Sequence, residues 1–472
     1  MPNMATSSPT NSQNTGSNPD SVIVVTGAGG VVGRQVCAHL STLGYGLRIL
    51  SRNPAATQSS FPDNVSVASY EDMDSVFQGA EAVVHLAARN NDQESEFAEF
   101  QRDNVDLSLN IAQKAKQLGV GKFIYATTTK ALGAGGGHYG KSKAIAERVL
   151  TKLDGEGFDV CLARLCPVYG AGTRGKIKHL QNLPLGLGKL ALWLVRSLVP
   201  IVSAQRVAEG ITEIIQSSDP LEETCLADPV GTWSVYGLFT AIMNFVFVIC
   251  VPTILGIPCL IAALAVAFTS KGGVFFIQDR VGKKQKPFKL SKFRTMFTGT
   301  PSAGTHEVAQ SYVTGVGAFL RKFKLDELPQ AWNVLKRELN LIGPRPCLEN
   351  QTELVKQRQR YGVFDVLPGI TGFGQVAGVD MSEPLKLSIH DHRYATFRGI
   401  LLDIKIALKT IRGGGFGDPV GGDTASASRD IEISAEENAR NKPGKGSGPH
   451  LMTASGPKRA ATDKVKSTGA QQ

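Results

Sequence analysis

The 472-residue sequence is poor in the residues that mark secreted or metal-held proteins. Its seven cysteines, at 37, 161, 166, 225, 250, 259 and 347, include no Cys-x-x-Cys pair and no histidine-rich partner spacing. That excludes a structural zinc site of the usual spacing and a secreted disulfide framework, and leaves reduced thiols as the default. Residues 1–20 lack both the basic start and the apolar run of a secretory signal, and their Ser, Thr, Asn and Pro content reads as a disordered leader. Residues 413–472 hold few large apolar side chains and read as a disordered tail. The most informative absence is internal: from Pro229 to Ser270 there is no Asp, Glu, Lys or Arg.

That uncharged segment is longer than the roughly 20 residues a helix needs to span a bilayer, and it shows no polar stripe for a soluble core. Membrane insertion is expected. Pro252 and Pro258 lie in its middle with Gly256 between them, so the helix should break there. A straight span and a segment that enters and leaves by one face both remain open. The acidic residues Glu222, Glu223 and Asp228 precede it, and Lys271, Arg280, Lys283, Lys284 and Lys286 follow it. The basic flank places the C-terminal side in the cytoplasm.

Elsewhere the composition is ordinary for globular domains, with 42% apolar and 19% charged residues. The net charge of +10 suits an anionic membrane surface, phosphate-bearing substrates or nucleic acid. Nucleic acid is disfavoured, because the basic residues cluster beside the apolar segment rather than among aromatics.

The run VIVVT (22–26) reads as a buried parallel strand that leads into GAGGVVG, with glycines at 27, 30 and 33, and then into a helix. In a dinucleotide fingerprint Gly27 makes the tight turn, Gly30 admits the pyrophosphate and Gly33 lets helix and strand pack closely. The next strand ends at Ser51 and Arg52 in place of an acidic residue, which favours NADP over NAD. FIYATTTK (123–130) reads as another strand, followed by YGKSK, where Tyr139 and Lys143 are four residues apart on one helical face. A nearby ammonium would lower the phenol's pKa for proton exchange, with Thr128 holding the substrate oxygen.

TGAGGVVG, HLAA, the TTT strand end, YGKSK and RLCPVYG (164–170) together resemble the extended short-chain dehydrogenase/reductase family of the sugar-nucleotide epimerase and dehydratase type. The resemblance implies catalytic Thr128, Tyr139 and Lys143, bound NAD(P), and hydride transfer at a sugar carbon. Two departures stand out. Only ten residues separate Thr128 from Tyr139, and the sugar-binding lobe after VYG is replaced by the apolar LGKLALWLVRSLVPIV.

Beyond the apolar segment, the basic run 272–296 reads as a surface for lipid phosphates and a nucleotide diphosphate. Residues 315–349 read as an amphipathic helical stretch ending at Gly-Pro-Arg-Pro, with Asp326 and Glu327 adjacent within it. FFIQDRVG, PFKLSKFRTM, LDELPQAWNVLKRELNLIGPRP, LPGITGFGQVAG and LLDIKI resemble, in order, the bacterial sugar transferase family of monotopic phosphoglycosyl transferases. The resemblance implies a re-entrant membrane helix, with Pro258 at the family's proline position and Ile257 replacing its serine. It also implies that Asp326 attacks a UDP-sugar, releases UMP and passes the sugar-phosphate to undecaprenyl phosphate. Glu327 would bind Mg²⁺ or manage protons. Arg294 and Arg345 are the candidate phosphate clamps, by bidentate geometry.

The expectation is therefore an α/β chain with five parts: the leader 1–20, a Rossmann doubly wound parallel sheet over 21–228, a membrane-inserted re-entrant segment over 229–270, a mostly α-helical α+β transferase domain over 271–412, and the tail 413–472. It would sit on the cytoplasmic face of a bacterial inner membrane and touch its lipid, because NAD(P) and UDP-sugars are cytosolic. A homodimer is neither required nor excluded. Two readings compete with a bifunctional enzyme: an oxidoreductase tethered by a degenerate transferase, and a transferase with a Rossmann module that only senses nucleotide.

Overall fold

In a computed structural model the described residues are 21–90, 95–170, 172, 176–181, 183–184, 187–231, 233–270, 272–300 and 312–412. The leader, Lys271 and the tail lie outside them. All described residues belong to one compact unit within Met1–Gly422.

The β-branched run VIVVT forms β1 (Val22–Thr26), an interior strand of a seven-stranded sheet. Its other strands are β2 (Gly46–Leu50), β3 (Ser66–Ala68), β4 (Ala80–His85), β5 (Lys122–Thr128), β6 (Asp159–Leu165) and β9 (Glu223–Leu226). Every pairing is parallel and the order is β3-β2-β1-β4-β5-β6-β9. A separate two-residue pair, β7 (Val168–Tyr169) with β8 (Val202–Ser203), lies beyond β6. Helices α1 (Val31–Thr42) and α9 (Ala204–Gln216) cover one face of the large sheet. Helices α3 (Met73–Phe77), α5 (Leu107–Gln117) and α6 (Gly137–Leu150) cover the other. Short α2 (Pro54–Gln58) and α4 (Phe97–Gln101) lie in crossovers, and α7 (Lys176–Gln181) and α8 (Leu187–Leu198) occupy the shortened lobe between β7 and β8.

The apolar segment forms α10 (Val235–Thr253) and α11 (Gly256–Thr269), broken at Ile254–Leu255 between the two prolines. A proline lacks the N–H that would continue the ladder, so the break falls where both prolines weaken it. Among the described helices α10 is long and apolar enough to cross a membrane. Both arms fold back onto the same domain. The α10 residues Phe247 and Val248 pack on Phe288 and Leu290, and the α11 residues Ala262 and Val266 pack on Phe293 and Leu320. Asn244, near the middle of α10, accepts from Leu341 N–H at 2.9 Å and donates to Asn340.

That domain holds the antiparallel hairpin β10 (Phe275–Val281) and β11 (Pro287–Phe293), and the short parallel pair β12 (Asn340–Ile342) and β13 (Gly369–Thr371). Helices α12 (Gly315–Lys322), α13 (Ala331–Leu335), α14 (Thr352–Arg360), α15 (Phe373–Val376), α16 (Pro384–Phe397) and α17 (Ile400–Ile411) surround them. The continuous helical stretch expected over 315–349 is not formed. Lys324 adopts left-handed φ of 55°, a 3₁₀ turn over Leu325–Gln330 contains Pro329, and the chain is extended again by Asn340. Three charges read as membrane flanks are also inside the fold, since Glu223, Asp228 and Arg280 are buried.

The two domains share structure. Helix α16 lies along β9, the edge strand of the large sheet, where Cys225 N–H donates to His392 Nε2 at 3.1 Å. Phe397 of α16 is buried in the sheet's own core with Val207 and Ile211.

Candidate active sites

The first site forms where the strand order reverses between β1 and β4, the crevice in which such sheets take dinucleotides. Thr26 ends β1 and Gly27 turns the chain at φ 71°. A Cβ at Gly27 would lie 2.6 Å from Ala87 N, and one at Gly33 would lie 2.3 Å from Gly27 O, so neither position tolerates a side chain. Gly30 caps α1 and its N–H donates to Gly27 O at 3.1 Å. This leaves the open N-terminus of α1 facing the crevice, a fit for a pyrophosphate. Arg52 follows β2 with its side chain exposed, 4.0 Å from Asp103.

Tyr139, Lys143 and Glu147 recur every four residues along α6. Lys143 is buried, donates to Ala126 O at 2.9 Å and lies 4.3 Å over the Tyr125 ring. Burial lowers its pKa to about 7, against the opposing pull of Glu147. Thr128 sits at the end of β5, where its Oγ1 accepts from Lys130 N–H at 3.3 Å.

Beneath the glycine turn lies a polar rod built on His85, the first residue of the HLAA motif. His85 is fully buried, with Nδ1 2.7 Å from Thr26 Oγ1 and Nε2 2.9 Å from Ser108 Oγ. Burial, and then Lys143, push its pKa down to about 3, so the ring is neutral. A π-helical turn over Arg102–Asp106 carries buried Asn104, which donates to Ser142 Oγ on α6 at 3.0 Å.

The second site centres on the 3₁₀ turn. Asp326 is buried on it, and Glu327 beside it accepts from Lys292 Nζ at 2.8 Å and pairs with Arg345 at 3.5 Å. Arg345 stands on the Gly-Pro-Arg-Pro turn, which the glycine-rich segment clamps from behind. Gly369 N–H donates to Pro344 O at 2.9 Å, and a Cβ at Gly369 would strike Gly343 N at 2.1 Å.

The adjacent carboxylates are pushed in opposite directions. Burial raises the Asp326 pKa above 3.8 against Lys292, whereas Lys292 and Arg345 overcome burial at Glu327 and hold it at about 2. Lys324 and Arg321 complete the cationic wall, the charges of both acting on this pair. Arg294, expected as a second phosphate clamp, is placed differently. Its guanidinium donates to Gly273 O and Phe275 O and lies over Phe276, and Lys292 takes its place beside the carboxylates.

Among the described residues no three His, Cys, Asp or Glu side chains converge to hold a resident metal. A Mg²⁺ at this site would take Glu327 as its carboxylate ligand from the chain.

Residues 235–415 match the bacterial sugar transferase family, and residues 23–199 match the NAD dependent epimerase/dehydratase family. The chain is 32% identical over 224 residues to the UDP-N-acetylgalactosamine-undecaprenyl-phosphate N-acetylgalactosaminephosphotransferase of Aeromonas hydrophila, covering 45% of this chain and 52% of that protein. It thus spans about half the length of that relative. It is 35% identical to the exopolysaccharide production protein ExoY of Rhizobium meliloti, covering 32% of this chain and 74% of that protein. Among solved structures, Bordetella bronchiseptica WbmG in complex with NAD and UDP is similar to it at 20% identity and a TM-score of 0.36, covering 43% of this chain and 72% of that one.

Proposed function

Because the chain belongs to the bacterial sugar transferase family, we propose that it transfers a sugar 1-phosphate from a UDP-sugar to undecaprenyl phosphate at the cytoplasmic face of a bacterial inner membrane. The observation that carries this reading is buried Asp326 beside half-buried Glu327, with opposed pKa shifts, inside a wall of Lys292, Lys324, Arg321 and Arg345. A soluble glycosyltransferase has no need of a buried nucleophilic carboxylate at the foot of an apolar helix pair.

In the first half-reaction a carboxylate oxygen of Asp326 attacks the β-phosphorus of the donor. The bond from that phosphorus to the bridging oxygen breaks, and UMP leaves with the electron pair. The sugar-phosphate remains as an acyl phosphate on Asp326. In the second half-reaction an oxygen of undecaprenyl phosphate attacks the same phosphorus and Asp326 departs as carboxylate. Splitting the exchange lets one small site serve a soluble donor and then a lipid acceptor. Arg345 and Lys292 hold the phosphate oxygens, and Glu327 stays ionised throughout. A Mg²⁺ held by Glu327 and the diphosphate would offset charge on the leaving UMP.

The return of both α10 and α11 to one domain supports a re-entrant rather than a spanning segment. Its polar backbone at the break is acceptable where it lies near the interface or against protein.

The N-terminal domain is proposed to bind NAD(P), with NADP favoured by Arg52, and to epimerise or reduce the sugar of the nucleotide sugar. The bound dinucleotide supplies a hydride acceptor and donor. Tyr139 exchanges the proton on the sugar oxygen, Thr128 orients that oxygen, and buried Lys143, titrating near neutrality, tunes the exchange.

The decisive experiment is nucleotide release from detergent-solubilised protein supplied with undecaprenyl phosphate, Mg²⁺ and a panel of UDP-sugars. Lipid-dependent UMP release that disappears in Asp326→Asn is expected. Release of UDP would instead indicate ordinary glycosyl transfer and overturn the reading.

A further inference from the structure

The lobe that replaces the usual sugar-binding region in the first domain is amphipathic in a way its own domain does not use. Along α8, Leu187, Leu190, Leu194 and Leu198 follow one another at three- and four-residue intervals and form a single face. All four are between 42% and 50% exposed. Lys189 and Arg196 fall on the opposite side of the helix, so α8 is amphipathic. A soluble domain rarely leaves four leucines of one helix face open to water.

The surroundings identify what covers that face. The C-terminal end of α8 abuts the start of α17: a Cβ on Gly399 would lie 3.0 Å from Leu198 O. Helix α17 has its own exposed apolar row, Leu401, Ile404, Leu408 and Ile411. Tyr236, at the start of α10, donates to Asp403 of α17 at 3.0 Å, so the first turns of α10 and α17 meet at this same place. Trp233, immediately before α10, is 97% exposed. A fully exposed tryptophan at the mouth of an apolar helix is the side chain expected at headgroup depth, where its apolar ring and N–H are both satisfied. Lys178 of α7 and Lys189 on the polar side of α8 are both exposed, with the sign of charge that suits anionic headgroups.

We infer that α8 is a second membrane contact, contributed by the dinucleotide-binding domain, which lies in the bilayer interface with its leucine face in lipid at the depth marked by Trp233. This rests on the reading of α10–α11 as the membrane segment, and goes beyond it. The first domain is then seated on the membrane rather than suspended from it, and its dinucleotide crevice is held at a fixed height above the leaflet. Gly172, at the root of the lobe, would place a Cβ 3.6 Å from Val31 of α1, so the lobe also borders the dinucleotide site.

The test uses full-length protein in nanodiscs of phosphatidylethanolamine and phosphatidylglycerol, with Trp193, Trp233 and Trp332 replaced by Phe. One probe is added at a time: Leu194→Trp, with Leu190→Trp as the alternative should the first fold poorly, or Leu260→Trp on α11 as reference. Acyl chains brominated near the headgroup should remove most of the emission at 194 or 190, more than chains brominated near their ends. The 260 probe should be quenched as well. Quenching at 260 without quenching at 194 or 190 overturns the inference and leaves α11 in the membrane. Loss of quenching at all positions overturns both. An unquenched, blue-shifted 194 probe with doubled particle mass would show a second copy of the chain on this face, which also overturns the inference.

Discussion

Lys292 is the residue on which the transferase site turns, and motif reading passed over it. It touches Glu327 directly and is the strongest influence opposing burial at both carboxylates. Removing it by Lys292→Met should raise the Asp326 pKa, so less of this carboxylate is ionised at a given acidity. The acid limb of UMP release should then move to higher pH by about one to three pH units, the usual range for an opposite charge at this distance. A pH–rate profile of the variant checks this, and an unmoved limb would remove Lys292 from the mechanism. The signal was present in the strand pattern. In β11, Phe288 and Leu290 face inward, and Lys292 continues the same alternation, so a cation falls on the core-facing register. Arg294 has the more versatile fork of donors, but it lies one residue past the end of β11, where the alternation no longer applies, and its donors go to backbone carbonyls.

At the scale of elements, the strand–glycine–helix unit and the broken apolar helix pair were legible because each is written in a contiguous run of residues. VIVVT became β1 over the same five residues, and the helix break fell between the two prolines. The amphipathic stretch around Asp326 was misread because periodicity alone does not register one left-handed residue. Left-handed Lys324, two residues past the end of α12, starts a tighter turn that points both carboxylates into the cationic wall. Gly33→Ala tests the tightest of these local demands. Its methyl would sit 2.3 Å from Gly27 O and force backbone apart, at a cost of about 1–3 kcal/mol. Thermal melting should show the loss, and calorimetric titration with NADP should show weaker binding. Asn244→Leu should cost about 1–3 kcal/mol, because Leu341 N–H loses its acceptor. The readout is a lower melting temperature with the protein still bound to membrane.

At the scale of the molecule the two halves are joined by charge as well as by packing. Arg164, fully buried, donates to Glu147 on α6 and to Glu223 at the sheet edge, and Glu223 accepts two bonds of 2.7 Å from Arg393 on α16. No single-sequence pattern announces a partner 170 positions away, so this junction was invisible until the fold was known. Burial would raise the Glu223 pKa, but Arg393 and Arg164 together hold it well below 4.5. A carboxyl depressed in the folded state stabilises fully above its unfolded value, and that contribution is lost as pH falls through the folded one. Melting temperature should therefore drop on acidification below 4.5, and the drop should be smaller in Arg393→Ala. At neutral pH that variant should be less stable by about 1–3 kcal/mol, since Glu223 keeps only one of its two guanidinium partners. Equal acid sensitivity in variant and parent would show that the junction does not depend on Glu223. Phe397 gives the same joint an ancestral meaning. A ring carried by the transferase completes the interior of the dinucleotide-binding domain, so recombination that exchanged either half for a distant relative would leave a hole in the survivor. The pair should be inherited as one unit, with residue 397 and its pocket changing together or not at all.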